Sequence, residues 1–207
     1  MKQNYQLILD RLIETECANG KRPTLLLHAC CAPCSSYVLE YLSKYFDITL
    51  FFYNPNISPQ EEYDFRAAEL LRLVKEMGLS DKISVIYGAY EPQKFTEMAR
   101  GLEDLPEGGS RCKSCYALRL RESACVAAER QFDFYTTTLS ISPHKNAEWL
   151  NEIGDEMGEQ FGIRYLTSDF KKKNGYKRSC ELSEQYGLYR QNYCGCIYSK
   201  QAAEKRS

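Results

Sequence analysis

The stretch that most constrains this chain is Leu25-Leu26-Leu27-His28-Ala29-Cys30-Cys31-Ala32-Pro33-Cys34. The short apolar run Thr24 to Leu27 reads as a buried strand. It stops at His28 and gives way to three cysteines within five residues, after which Ser35, Ser36 and Val38-Leu39-Leu42 read as a helix. Strand, tight turn and helix in that order are the unit with which open α/β sheets hold ligands at the carboxyl end of a strand. The turn here carries thiols where other such sheets carry glycines.

The rest of the chain repeats the unit. Strands are expected over Asp47 to Tyr53, Ile83 to Tyr87, Phe132 to Thr138 and, as a short last strand, Ile163 to Leu166. Helices are expected over Gln6 to Glu16, Glu61 to Met77, Pro92 to Leu102, 113–131, and from Ser142-Pro143 to about Phe161. Ser58 reads as an N-cap with Pro59 in the first turn, and Phe65, Ala68, Leu71 and Val74 mark an apolar face on the helix that follows. This alternation predicts an α/β fold, an open and mostly parallel sheet with helices on both faces, Rossmann-like and similar to nucleotide-hydrolase domains. The expected organisation is one catalytic domain over 1–207, with 167–207 an irregular, basic C-terminal extension. No stretch approaches the ~20 apolar residues of a membrane span. The N-terminal Met1-Lys2-Gln3-Asn4-Tyr5 begins an amphipathic pattern without a signal-peptide core, so a cytoplasmic location is expected.

In a reducing compartment ten cysteines point to metal or redox chemistry in preference to structural disulfides. Cys30-Cys31-x-x-Cys34 and Cys112-x-x-Cys115 together offer the thiolates that a zinc ion or a [4Fe–4S] cluster needs. Five thiols compete for four places. Cys30, Cys31, Cys112 and Cys115 are the expected ligands. Cys34 is the alternative ligand, or serves a second metal or a substrate. Cys194-Gly195-Cys196 differs, because two cysteines one residue apart close a strained, labile disulfide. The reading is a reversible two-electron dithiol; a loop pair completing a metal site is the alternative. Cys17, Cys125 and Cys180 sit inside helical patterns and are read as packing residues.

Four segments together resemble the QueH-type epoxyqueuosine reductases: His28 to Cys34, Phe52-Tyr53-Asn54-Pro55-Asn56-Ile57, Arg111-Cys112-x-x-Cys115-Tyr116, and Leu188 to Cys196. The resemblance runs from about Lys21 to Ser199. It implies a cobalamin-independent oxidoreductase that removes the epoxide oxygen of epoxyqueuosine at the tRNA wobble position, giving queuosine. It also implies a [4Fe–4S] cluster on Cys30, Cys31, Cys112 and Cys115 and a redox-active pair Cys194/Cys196. A second iron, with unassigned ligands, belongs to the same implication. An electron donor must exist and is not identified by the sequence.

His28 adjoins the thiolates and is read either as a proton donor or as a hydrogen-bonded turn histidine. His144 is expected in the first turn of a helix, with Lys145 meeting phosphate. The tRNA contact is expected from Arg164, Lys171, Lys172, Lys173, Lys177, Arg178 and Arg190, with Tyr176, Tyr189 and Tyr193 interleaved. A pocket for an unstacked base is expected near Asn54 and Asn56. The competing readings are a zinc-stabilised RNA-binding module without catalysis and a tRNA-thiolating enzyme. The second would need a phosphate loop that this chain lacks.

Overall fold

In the computed structural model, residues 3–205 are described; Met1, Lys2, Arg206 and Ser207, and with them the start of the N-terminal amphipathic pattern, lie outside the described residues. The strand Thr24–His28 (β1) alternates its side chains between two apolar layers. Leu25 and Leu27 join one, and Leu26 joins the other. A strand buried on both faces is what an uninterrupted apolar run signals.

β1 is central. The parallel strands are Asp47–Phe52 (β2), Ser84–Tyr87 (β3), Phe134–Thr137 (β4) and Arg164–Tyr165 (β5), in the order β3-β2-β1-β4-β5. One layer is built from Tyr5–Glu16 (α1), Ala32–Leu42 (α2) and Gln60–Glu76 (α3). Ser110–Glu129 (α5) and Ala147–Phe161 (α6) form the other, with Pro92–Ala99 (α4) packed on α5. This is the doubly wound Rossmann-like arrangement. Its chain order reverses between β1 and β4, and crevices form beyond the strands' carboxyl ends there.

Several boundaries differ from expectation for local reasons. α3 starts at Gln60 with Pro59, not Ser58, as its N-cap, and the Ser58 amide donates to the carbonyl of Gly195. Its buried face carries Tyr63, Arg66, Leu70, Leu73 and Val74, while Phe65 and Leu71 are 47% and 48% exposed. Two apolar stripes compete on that helix; the inward one buries Tyr63, Leu70, Leu73 and Val74, and Arg66 on it is offset by Glu62 and the Cys194 carbonyl. α6 begins after Asn146, whose side chain accepts from the amides of Glu148 and Trp149. Ser142 to Lys145 is therefore loop, and His144 lies outside the helix. Gly154 is required on α6: a Cβ there would stand 2.5 Å from the Tyr165 ring of β5.

The stretch after Leu166, expected as irregular, holds two helices, Gly175–Gln185 (α7) and Ile197–Glu204 (α8), joined by loops. α7 packs on α2. Cys17, Cys125 and Cys180 are half-buried; Cys17 packs against the core as expected, while Cys125 and Cys180 lie at its edge. Among the described residues no helix is long and apolar enough to cross a membrane.

Candidate thiol-lined active site

The end of β1 places the first thiols. Cys31 is the N-cap residue of α2, and Pro33 and Cys34 sit together in its first turn. Helix amides and the macrodipole at that end favour negative charge. The Cys30 amide donates to Thr138 Oγ1 at 3.3 Å, which ties the turn to the residue following β4 across the reversal point. The sulfurs of Cys30, Cys31 and Cys34 lie within 4.8 Å of one another, an arrangement able to hold a metal ion. Hydrogen bonds from Cys30 and Cys34 hold the Cys31 thiol well below its ordinary value, while the Cys34 thiol, donating in that trio, is pushed well above its own. Within the trio, Cys31 is the sulfur whose thiolate its neighbours favour.

The second set comes from α5 and the C-terminal loop. Arg111 Nη1 donates to the carbonyls of Leu102, Glu103 and Leu105, which fixes the loop ahead of α5. Cys112 and Cys115 follow in the first turns of that helix. They share a pocket of about 20 Å³ with Cys194 and Cys196. Cys34 therefore joins Cys30 and Cys31 directly, whereas Cys112 and Cys115 sit beside the Cys194/Cys196 pair and outside the close trio. A larger cavity of about 530 Å³ opens next to this pocket and is lined by Cys30, Cys31, Cys34 and Cys194. Asn54 and Asn56 also line it, where a base pocket was expected.

Three buried cations stand among these thiols. Arg119 is 1% exposed and has no carboxylate partner among the described residues; its Nε donates to the Cys115 carbonyl at 3.3 Å and Nη1 to Asn54 Oδ1 at 3.5 Å. Burial works against its charge, but the thiols of Cys115, Cys194 and Cys30 outweigh that and raise its pKa. Arg66 pairs with Glu62 at 2.7 Å, donates to the Cys194 carbonyl at 3.1 Å and lies over the Tyr193 ring. Lys145 Nζ is 3.0 Å from Cys194 Sγ and 3.9 Å from Glu107. The expectation that Lys145 meets phosphate is corrected: it is buried and points at sulfur. Burial raises the Cys194 thiol, yet Lys145 and Arg119 overcome it and bring that thiol below its ordinary value. Burial pushes Cys115 up to about 11 and raises Cys196 as well.

These cations left a faint signal in the sequence. Arg66 and Arg119 each interrupt the inward face of a helix, Arg119 one turn after Cys115. A charge on a buried stripe needs a partner.

His28 is fully buried between Thr137 Oγ1 at 2.8 Å and the Tyr53 carbonyl at 3.0 Å. The carbonyl can only accept, so Nε2 carries the proton and Nδ1 accepts from Thr137. Burial lowers its pKa to about 4, leaving it neutral. It lines neither cavity, so the proton-donor reading is corrected to that of a hydrogen-bonded turn histidine.

The expected basic surface is largely neutralised. Lys171 pairs with Asp169 at 2.6 Å, Lys173 with Asp10 at 2.7 Å, and Arg178 with Glu40 at 2.7 Å and Glu181 at 3.2 Å. Arg164 pairs with Glu16 at the amino ends of the strands, opposite the thiols, and leaves the candidate surface. Lys172 and Lys177 are exposed and have no partner among the described residues. Arg190, Tyr176 and Tyr193 line the large cavity, while Tyr189 packs on Phe65 instead.

The sequence profile of the family described as "Epoxyqueuosine reductase QueH" matches residues 25–202. The chain belongs to that family. It is an oxidoreductase. Among its relatives in the family is the epoxyqueuosine reductase QueH of Streptococcus pyogenes serotype M1, 42% identical over 200 residues, 96% of this chain and 78% of that one. The namesake from Staphylococcus epidermidis is 43% identical over 202 residues, 96% of this chain and 85% of the relative. That from Thermotoga maritima is 36% identical over 179 residues, 85% of this chain and 90% of the relative. A solved NMN synthetase from Francisella tularensis aligns at 10% identity and TM-score 0.47, covering 92% of this chain and 75% of that one. That likeness is too remote to add to what the sheet order already gives.

Proposed function

We propose that this protein reduces epoxyqueuosine to queuosine at the wobble position of tRNA in the cytoplasm, without cobalamin. Family membership supports the substrate. The observation that carries the chemistry is a single large cavity walled by Cys30, Cys31, Cys34 and Cys194 among buried cations. Epoxide deoxygenation needs two electrons and two protons at one place, and thiols beside ammonium and guanidinium groups supply both.

The donor set fits a thiolate-held metal group. Three sulfurs converge within 4.8 Å. Arg119 Nη2 and Asn56 Oδ1 are buried without a partner among the described residues, and both residues line the two cavities. A guanidinium with no carboxylate beside it needs an anionic occupant nearby. The ligands we assign to a [4Fe–4S] cluster are Cys30, Cys31, Cys112 and Cys115, with Cys34 as the competing ligand or the holder of a second iron. Such a cluster, when bound, supplies one-electron transfer beside the substrate.

The chain's own residues do the rest. Cys194 and Cys196 form the two-electron store. Arg66 fixes the backbone of that pair, and Gly195 makes the close approach possible: its φ is +120°, and a Cβ there would lie 3.0 Å from Arg66 Nη1 and from Ile57. Asn54 is held by the Ala29 carbonyl and positions the floor of the cavity. Tyr176 and Tyr193 offer rings to unpaired anticodon bases. Arg190, Lys172 and Lys177 meet phosphate. We assign all of this to one catalytic domain, with 167–207 contributing the pair and the phosphate-facing Lys172, Lys177 and Arg190.

The deciding experiment measures iron and sulfide on protein purified without oxygen, then analyses nucleosides of treated tRNA. Iron, sulfide and conversion of epoxyqueuosine to queuosine are expected. One zinc ion per chain and unchanged nucleosides would favour the non-catalytic RNA-binding module.

A further inference from the structure

The two members of the Cys194/Cys196 pair have different surroundings, although one residue separates them. Cys194 lines both the large cavity and the small pocket. Cys196 lines only the small pocket and packs with Phe95 and Cys115. Cys194 Sγ has the Lys145 ammonium at 3.0 Å. Cys196 Sγ instead caps α8: it accepts the Ser199 amide at 3.4 Å and lies 3.3 Å from Ser199 Oγ. The backbone between them is clamped from one side by Arg66 on the Cys194 carbonyl and by the Ser58 amide on the Gly195 carbonyl, at 3.1 and 3.0 Å. That clamp keeps the two sulfurs from exchanging places.

We propose that the pair is unequal by construction: Cys194 is the exchanging sulfur that faces the cavity, Cys196 is the resolving sulfur behind it, and Lys145 is the positioning residue that makes the difference. The proposal rests on the reading of this protein as a thiol-dependent reductase and deepens it. In a turnover the two thiols lose two electrons and two protons as the S–S bond forms. The two C–O bonds of the epoxide break, a C=C bond forms, and the oxygen leaves as water. In the reset a dithiol reductant enters the emptied cavity. One of its thiolates attacks Cys194 Sγ, the S–S bond breaks, and Cys196 takes up a proton as the leaving thiol. The reductant's second thiolate then displaces Cys194, which departs as a thiolate beside the Lys145 ammonium, and the reductant ends as a disulfide. The donor class this reset takes is a dithiol, small enough or slender enough at its reactive end to enter the cavity that Cys194 lines.

Several groups face Cys194 besides Lys145: Arg119 adds positive charge from α5, Glu107 opposes it from the loop before that helix, and Cys112, Cys115 and Tyr116 face the same pocket. Among the described residues, Lys145 is the cation that touches the sulfur. The side chain comes from the loop after β4, so the sheet sets its position while the C-terminal loop sets that of Cys194.

The test is the order of alkylation on reduced, iron-loaded protein handled without oxygen, using iodoacetamide below one equivalent and peptide mapping by mass spectrometry. Cys194 should be modified about tenfold or more ahead of Cys196, a ratio of the size that thiolate character gives. Lys145→Met should reduce that ratio several-fold while iron content stays unchanged, and Lys145→Arg should restore most of it. Exposure alone would give a preference that survives in Lys145→Met, and that result would overturn the role of Lys145. Equal labelling of the two sulfurs in the unaltered protein would overturn the inequality itself, whatever becomes of the variants. If alkylation of either cysteine instead releases iron, the pair is a ligand set and the proposal is wrong. None of these outcomes depends on tRNA, so failure of the substrate assignment would be seen separately, as unchanged nucleosides in treated tRNA.

Discussion

Two thiol loops meet at the carboxyl edge of this sheet, and they are held in opposite ways. The Cys30–Cys34 turn is rigid by inheritance from β1 and α2, and its three sulfurs interact chiefly with one another. The Cys194–Cys196 loop belongs to no strand. Cations hold it: Arg66 on its backbone and Lys145 on its sulfur. Sulfurs gathered around one point suit a metal, whose charge adds to that of Arg66 and Arg119 nearby. A sulfur facing an ammonium suits exchange, because the thiolate is stabilised without being ligated. The difference teaches that thiol number says little about chemistry, and that what faces each sulfur says more.

That contrast breaks if the second loop also ligates metal. Cys194→Ser should abolish multiple turnover by at least about 100-fold while bound iron and sulfide remain, a split expected of an exchanging thiol. Turnover assays paired with iron analysis decide it, and loss of iron would merge the two loops into one site. Cys31→Ala is the converse case. It should cut retained iron by at least about tenfold, since removing a ligand costs no less than disturbing the groups behind one. Cys34→Ser, measured alongside, sharpens the ligand assignment: iron loss equal to that of Cys31→Ala makes Cys34 a ligand in its own right.

Arg119 joins the loops, and its replacement should weaken both the fold and the hold on iron. Arg119→Met removes a charge that the thiols of Cys115, Cys194 and Cys30 favour and leaves two buried acceptors without their donor, so the metal-free protein should lose about 1 kcal/mol or more in thermal unfolding experiments. The same variant should hold iron less tightly, because the compensating cation is gone. A gain of stability in the metal-free form would show that the thiols do not offset the burial of Arg119. The smallest expected effects lie on the surface. Lys172→Ala and Lys177→Ala should each lower the salt slope of tRNA binding by about 1, the signature of one lost phosphate contact. Lys173→Ala should change it less, because Lys173 is already paired with Asp10.

Much of the frame was legible beforehand because it rests on local patterns. The apolar run ending at His28, the alternation of strands and helices, and the cysteine motifs each carry their meaning in a few adjacent residues. The inward face of α3 was not legible in this way. Phe65 and Leu71 are as apolar as Leu70 and Leu73, and the inward stripe carries Arg66, which Glu62 and the Cys194 carbonyl offset. The role of His28 was equally open, since a histidine next to thiols is either buried or reactive according to what covers it. Thr137 and Tyr53, far along the chain, settle that question.

By itself the sequence determined that this chain winds a parallel sheet and sets thiols at the end of its central strand, because periodicity and motif spacing are properties of neighbouring residues. Only the tertiary structure decided which thiols stand together, which cations face them and which lysines are already spent on carboxylates. Those are matters of distance between residues far apart in the chain. Charges interact through space, so the partner of Cys194 is the lysine that the fold brings to 3.0 Å and not a neighbour in sequence.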